Sequence, residues 1–485
     1  MDNQFVTVKR QEMKKRSVSE RIRDFRDIYI PMAEEEIRYQ SGRCMDCGVA
    51  FCHTFGCPLE NVIPEINALI YQDRWQEAYE LLESTNNFPE ITGRLCPAPC
   101  ESACTLFENR EHVTTHLNEL HLTEQAFQQQ WVTPRPPETE TGRRVAVIGS
   151  GPAGLTAAQQ LRRAGHEVVV FEKSEQVGGL LRFGIPDFKL EKHILDRRIR
   201  QLMDERIQFE TQVEVGSDIS AAYLKKRFDA ICLTVGAGKP RDLQTGGREL
   251  NGIHQAIDYL SRKNRSIAGL ISADQVINAA GRKVVVIGGG DTGADCVGTA
   301  LRQGAESVLQ LEILPRPPEK ENPETPWPEH PRIYRRNPSH EEGGDIMWSV
   351  ATKKFSGTGG YVSALECVEV QWQKDSSGRL SFTEKEGSAF TVEADLVILA
   401  MGFTGPGNTD FLDDLGLERD PRGNIKTNPD QSASAEGVFA AGDAASGPSL
   451  IVRAIASARR MAHFADKYIM GESDLPYPGG TPASW

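Results

Sequence analysis

Residues 143–173 read RRVAVIGSGPAGLTAAQQLRRAGHEVVVFEK. The run VAVI at 145–148 is apolar throughout, which suits a parallel strand covered on both faces. Gly149-x-Gly151-x-x-Gly154 follows, then a segment of helical period, then a second apolar run that ends at Glu172. Strand, glycine turn, helix and acid-tipped strand in that order form a dinucleotide-binding pattern. The first glycine permits the tight turn. The second lets a pyrophosphate approach the backbone, and the third lets helix and strand pack closely. The helix N-terminus then offers unpaired N–H groups to the phosphates. Glu172, with Lys173 beside it, is placed to accept hydrogen bonds from a ribose hydroxyl pair.

The same grammar recurs in residues 282–315, RKVVVIGGGDTGADCVGTALRQGAESVLQLEILP. Here the glycines are Gly288, Gly290 and Gly293, with Asp291 and Thr292 opening the helix and Glu312 ending the second strand. A carboxylate there favours the free 2′-hydroxyl of NADH and repels a 2′-phosphate, whereas Arg316 would pair with that phosphate. On these residues Glu312 gives NADH a slight lead, and NADPH stays open. Two dinucleotide units in one chain indicate a flavin and a nicotinamide.

The whole chain has 485 residues, so about three domains are expected. Fifty-five Lys and Arg against sixty-eight Asp and Glu leave a net charge of −13, which argues against a nucleic-acid binder and against a polybasic membrane anchor. No apolar run is long enough to span a bilayer, and no secretory signal opens the sequence, so a cytoplasmic protein is expected. Seven of the ten cysteines lie between Cys44 and Cys104; Cys232, Cys296 and Cys367 are scattered. In a reducing compartment such a group binds metal or does redox work more often than it forms disulfides.

Residues 1–132 read as mostly helical, with SERIRDFRDIYI, EINALIYQDRWQEAYELLE and NELHLTEQAFQQQW carrying apolar residues at helical spacing and the cysteines in loops between them. Residues 133–142 are a Pro-, Thr- and Glu-rich linker, and 315–345 hold too many prolines for regular structure. The expected domains are 1–132 helical, 143–270 flavin-binding (first part), 271–394 nicotinamide-binding, and 395–485 flavin-binding (second part). The expected fold class is multidomain: an α-helical N-terminal domain, which the cysteines below mark as an iron–sulfur domain, followed by two α/β, Rossmann-like dinucleotide-binding domains, which the resemblance given below makes glutathione-reductase-type.

The cysteine spacings are Cys44-x2-Cys47-x4-Cys52-x4-Cys57-Pro58 and Cys96-x3-Cys100-x3-Cys104. Thiolates at such short spacing suit iron–sulfur or zinc ligation. The dinucleotide units downstream create a use for electron carriers, which favours iron–sulfur. Two four-iron clusters need eight ligands, so seven cysteines leave one position for another residue type.

The dinucleotide units resemble the flavoprotein superfamily of glutathione and thioredoxin reductases, in which the flavin unit is interrupted by the nicotinamide unit and then resumes. The resumption is similar to GVFAAGDAA at 437–445, and the loop after the first acid to Gly178-Gly179-Leu180. The resemblance implies that Gly179, Leu180, Gly442 and Asp443 contact FAD. From residue 20 to 480 the chain resembles the small (beta) subunit family of glutamate synthase. CMDCGVAFCH, GCPLENVIPEIN, GRLCPAPCESACTL, VIGSGPAGLTAA, GGLLRFGIPDFKL, VIGGGDTGADC and FAAGDAASGPSLIV carry the resemblance by their order and spacing. Related cluster domains occur in dihydropyrimidine dehydrogenase and in a ferredoxin-linked NADH:NADP oxidoreductase.

That resemblance implies two 4Fe-4S clusters with crossed ligation. Cys44, Cys47 and Cys52 would share one with Cys104, while Cys57, Cys96 and Cys100 would hold the other. Glu119 stands where a helix glutamine supplies the missing ligand in dihydropyrimidine dehydrogenase; Asn118, His116 and His121 compete with it. The implied activity is an oxidoreductase: NADPH or NADH is oxidised at FAD. Electrons then pass through the clusters to a large (alpha) subunit carrying FMN and a further iron–sulfur cluster, which forms L-glutamate from L-glutamine and 2-oxoglutarate in ammonia assimilation. Hydride passes between bound cofactors, so no catalytic side chain is expected, and Arg182 and Lys189 read as surface cations. The rival readings are an electron-input subunit of another complex (a ferredoxin-linked transhydrogenase or a pyrimidine reductase), a thioredoxin-reductase-like disulfide oxidoreductase, and a zinc-stabilised adaptor without enzymatic activity.

Overall fold

The computed structural model describes residues 4–109, 111–321, 323–374, 380–407 and 410–479. The strand Arg144–Ile148 sits at the centre of a five-stranded sheet ordered Val438–Ala440, Ala230–Leu233, Arg144–Ile148, Glu167–Glu172 and Gln208–Thr211. Every pairing in it is parallel. Side chains alternate along the central strand, and both faces are covered. Val145 and Val147 point into one apolar core with Leu155, Leu161, Ile455 and Met461, whereas Ala146 and Ile148 point into another with Leu224, Phe411 and Ala440. That is why the strand carries no polar alternation. The strand Val438–Ala440 arrives from the far end of the chain to flank Ala230–Leu233.

The second sheet is ordered Asp345–Trp348, Ser307–Glu312, Lys283–Ile287, Leu396–Leu399 and Ile253–Gln255, again all parallel. Two of its strands correct the expected boundaries. Ile253–Gln255 and the helix Ala256–Ile267 fall before residue 271, and Leu396–Leu399 falls after residue 394, yet all belong with the second glycine loop. A short run such as LVIL fits the interior of either parallel sheet, and only its partners decide which. One face of this sheet packs on helices, and the other on a four-stranded antiparallel sheet from within residues 350–393 that the sequence reading did not anticipate.

The N-terminal region is helical in part. The expected helix SERIRDFRDIYI is confined to Val18–Arg21, with a short strand at Tyr29–Ile30, because its charges pair across the turn (Arg16 with Asp24) rather than along a helix face. EINALIYQDRWQEAYELLE is two helices, Ile63–Tyr71 and Trp75–Thr85, separated where Asp73 takes φ +63°. Thr115–Gln128 is one helix. Ile37, Ile70, Tyr79, Leu82 and Leu122 form the local core. Among the described residues no helix is long and apolar enough to cross a membrane.

A buried ion pair fastens this region to the domain built on the first sheet. Arg198, from the helix Lys192–Asp204, meets Glu90, from Pro89–Leu95, at 2.7 and 2.8 Å, and both side chains are fully buried. Removing one member strands the other charge in a dry interface, at a cost of about 3–5 kcal/mol; an apolar pair of similar volume costs far less. We expect Arg198→Met alone to lower the denaturant midpoint followed by circular dichroism. Arg198→Met with Glu90→Leu should recover most of the loss.

Candidate cofactor and cluster sites

The first glycine loop is fixed by sterics. Gly149 holds φ +99°, and a β-carbon on Gly154 would lie 1.9 Å from the Gly149 carbonyl oxygen. Gly151 faces open space ahead of the helix Pro152–Arg163. Three distant segments converge there. A β-carbon on Gly179 would come within 3.0 Å of the Gly151 Cα, and one on Gly442 within 2.9 Å of the Ala153 Cβ. Glu172 is buried; its carboxylate accepts the Ser150 and Ser174 N–H groups at 3.1 and 2.8 Å and the Ser150 hydroxyl, whose oxygen accepts the Gly178 N–H at 2.9 Å. The acid therefore also braces the loop. Asp443 accepts the Ser449 N–H, and burial pushes its carboxyl up to about 6. Leu180 is partly exposed, and Lys173 points to solvent.

The second loop repeats this geometry. Gly288 holds φ +122°, a β-carbon on Gly293 would meet the Gly288 carbonyl at 2.3 Å, and Gly290 faces open space with exposed Asp291 and half-buried Thr292 behind it. The Glu312 carboxylate reaches the loop at Gly289 and accepts the Leu314 N–H at 2.8 Å. Arg316 is turned away into residues 315–345, paired with Glu319 and 4.5 Å over the Tyr334 ring.

The cysteines part into two cavities. Cys44, Cys47, Cys52 and Cys104 line one. Cys57, Cys96, Cys100 and Glu119 line the other, with Asn61 and His116. Gly56 permits the segments to approach, since a β-carbon there would lie 2.6 Å from the Cys100 Cα, and Ala98 turns the chain through φ +54° into Pro99–Ser102. Burial pushes the Cys44 and Cys57 thiols up to about 12 and raises those of Cys52, Cys96, Cys100 and Cys104. Such thiols stay protonated and neutral until a metal displaces their protons. Among the described residues no three His, Cys, Asp or Glu form a group of single-ion size; the thiols line cavity walls instead. Four thiols around the first cavity, and three thiols with one carboxylate around the second, fit four-iron clusters.

Glu119 is buried, accepts the Asn61 side-chain N–H at 3.0 Å, and is pushed up to about 7 by burial. Of its competitors, Asn118 donates to Asn67, away from the Cys57 cavity, and His121 packs on the Trp75 ring. His116 does line the cavity, with its Nδ1 2.6 Å from the Glu101 carboxylate.

Sequence reasoning missed Glu101, which sits between two cysteines and gathers Arg10, His112 and His116; against burial, the His116 and Arg10 charges and a hydrogen bond with His112 hold its carboxyl below the usual range. Its signal was a charged residue inside CESAC. The reading of Arg182 and Lys189 as surface cations is corrected. Arg182 is buried, bonded to the Val177 carbonyl and Asp196, and Lys189 meets buried Asp295 at 2.5 Å. These partners come from other segments, so no local pattern announces them.

The chain matches two family models: pyridine nucleotide-disulphide oxidoreductase over residues 143–458, and dihydropyrimidine dehydrogenase domain II, 4Fe-4S cluster, over residues 21–131. It is 52% identical to a glutamate synthase (NADPH) small chain of Mycobacterium tuberculosis over 469 residues, covering 96% of this chain and 95% of that one. It is 43% identical to a glutamate synthase (NADH) of Schizosaccharomyces pombe, covering 98% of this chain and 23% of that longer one. The structure of M. tuberculosis FprA in complex with NADPH shares the fold, with a TM-score of 0.55 at 20% identity over 68% of this chain and 85% of that chain.

Two outcomes follow from these geometries. Gly154→Ala forces a β-carbon into the Gly149 carbonyl, so the purified variant is expected to lack flavin absorbance while keeping its iron. Glu119→Ala is expected to lower the iron content and remove or reshape the EPR signal of one cluster only; unchanged iron and unchanged signals from both would exclude Glu119 as a ligand.

Proposed function

The chain belongs to the family of glutamate synthase small chains, and we propose that it is the electron-input subunit of a glutamate synthase. It oxidises NADPH or NADH and delivers electrons to a large subunit carrying FMN and a further iron–sulfur cluster, where glutamine and 2-oxoglutarate become glutamate. Bound FAD and 4Fe-4S clusters supply the change from paired to single electrons, since nicotinamide yields a hydride and clusters take one electron at a time.

The observation that carries this reading is the succession of sites within one chain. The glycine loop at 149–154, with Gly179 and Gly442 against it, holds the flavin pyrophosphate; the loop at 288–293 holds the nicotinamide dinucleotide, with Glu312 at the ribose. The protein's contribution is to position these groups and exclude water. The Cys57 cavity stands on the flavin side. Its wall includes Val452 of the helix Ile451–Met470, and Cys57 and Cys100 share an apolar core with Ala153 and Val177. The Cys44 cavity lies outward: Met45 and Val49 on its loop are 41% and 69% exposed. The Cys57 set with Glu119 thus receives electrons from the flavin side, and the Cys44 set passes them to the partner.

Anaerobic titration tests this reading. We expect the flavin absorbance to bleach on addition of NADPH or NADH. Glutamate should form from glutamine and 2-oxoglutarate only when the large subunit is present. Absence of bleaching with both nucleotides would overturn the assignment.

A further inference from the structure

The proline-rich excursion, residues 315–345, is not absorbed by the function above. It leaves the second sheet directly after Glu312, at the ribose end of the nicotinamide loop, and returns through Pro338–Glu341 to the strand Asp345–Trp348. Its two limbs are tied to each other: the Tyr334 N–H donates to the Pro318 carbonyl at 2.8 Å, and the Arg332 N–H to the Thr325 hydroxyl at 3.2 Å. Prolines fix φ and remove backbone donors, so this shape is held without a sheet or helix ladder.

Its tip lies on the N-terminal domain. The Trp327 ring packs against Phe51 with centroids 4.8 Å apart, and its indole N–H reaches the Cys104 carbonyl at 3.3 Å. His330 Nδ1 lies 2.9 Å from the Ser102 hydroxyl. Phe51 and Cys104 both line the Cys44 cavity; Trp327 stands behind them. The returning limb is clamped as well. Glu342 is held between Arg21, at 2.9 Å, and Arg302, and all three side chains are buried.

We propose that residues 315–321 and 323–345 form a strap by which the nicotinamide domain braces the outer wall of the Cys44–Cys47–Cys52–Cys104 cavity, with Trp327 as its positioning residue. The inference rests on the assignment of a cluster to that cavity. The indole backs Phe51, so the ring cannot swing out and admit water, and the N–H holds the Cys104 backbone in place. Solvent access and hydrogen bonding around the ligands set both the lability and the potential of a cluster. Among the described residues no strap residue lines either cavity directly; the strap backs Phe51 and Cys104 of the Cys44 cavity, whereas the wall of the Cys57 cavity includes Val452.

The test uses the full chain, purified anaerobically with its clusters, and compares wild type, Trp327→Ala and Trp327→Phe. Iron release to a chelator is followed in each, together with the EPR spectrum in a redox titration. Trp327→Ala is expected to release the iron of one cluster several-fold faster and to shift the EPR signal and midpoint potential of that cluster alone. The flavin and the second cluster should stay unchanged. Trp327→Phe keeps the ring contact and is expected to restore slow release, with a residual shift in potential from the lost N–H donor. Full wild-type iron with an unchanged release rate in Trp327→Ala overturns the strap alone. Equal loss from both clusters together with flavin also overturns it, since that is general unfolding. A wild-type chain that holds the iron of only one cluster overturns the ligand assignment and the strap with it.

Discussion

The approach of Gly154 to the Gly149 carbonyl is the contact on which the flavin-side geometry depends. With no β-carbon at 154, the helix Pro152–Arg163 starts against the end of the strand Arg144–Ile148, and its N-terminus opens onto free space at Gly151. Gly179 and Gly442 can then close on the same turn, and Glu172 ties it to the loop at Gly178 through Ser150. At Gly154 and Gly442 there is clearance for a hydrogen but not for a methyl group, and at Gly179 a methyl group would be tight. The second loop, at 288–293, obeys the same constraint, with the Ala400 carbonyl against Gly288 as the Thr234 carbonyl stands against Gly149.

The helical domain answers to a different constraint, desolvation. Its Cys44, Cys57 and Cys100 thiols are buried, and burial alone would keep them protonated and inert. The cavities they line are separated by the short turn that carries Cys100, Glu101 and Cys104, so the crossed arrangement follows from one segment facing both ways. Glu101 at that turn gathers Arg10, His112 and His116, and its carboxylate adds to burial in raising the Cys96, Cys100 and Cys104 thiols.

The fold was legible in the sequence where it is set locally. The glycine patterns, the apolar strands and the acid tips at Glu172 and Glu312 all follow from short-range sterics and covered sheet faces. Arg182 and Lys189 looked like surface cations because both their burial and their partners, Asp196 and Asp295, come from packing. Ile253–Gln255 and Leu396–Leu399 looked like members of the flavin domain because of their place in the chain, while hydrogen bonding put them in the other sheet.

By itself, the sequence determined that two phosphate loops and a cysteine-rich helical domain are present, since glycine geometry and thiol spacing act within a few residues. Only the tertiary structure decided which thiols share a cavity, that Glu119 and His116 both reach the Cys57 side, and that a proline-rich segment of the nicotinamide domain lands on Phe51 and Cys104. The physical reason is range. A turn is governed by the contacts of its own backbone, whereas a cavity is governed by which distant segments exclude water together.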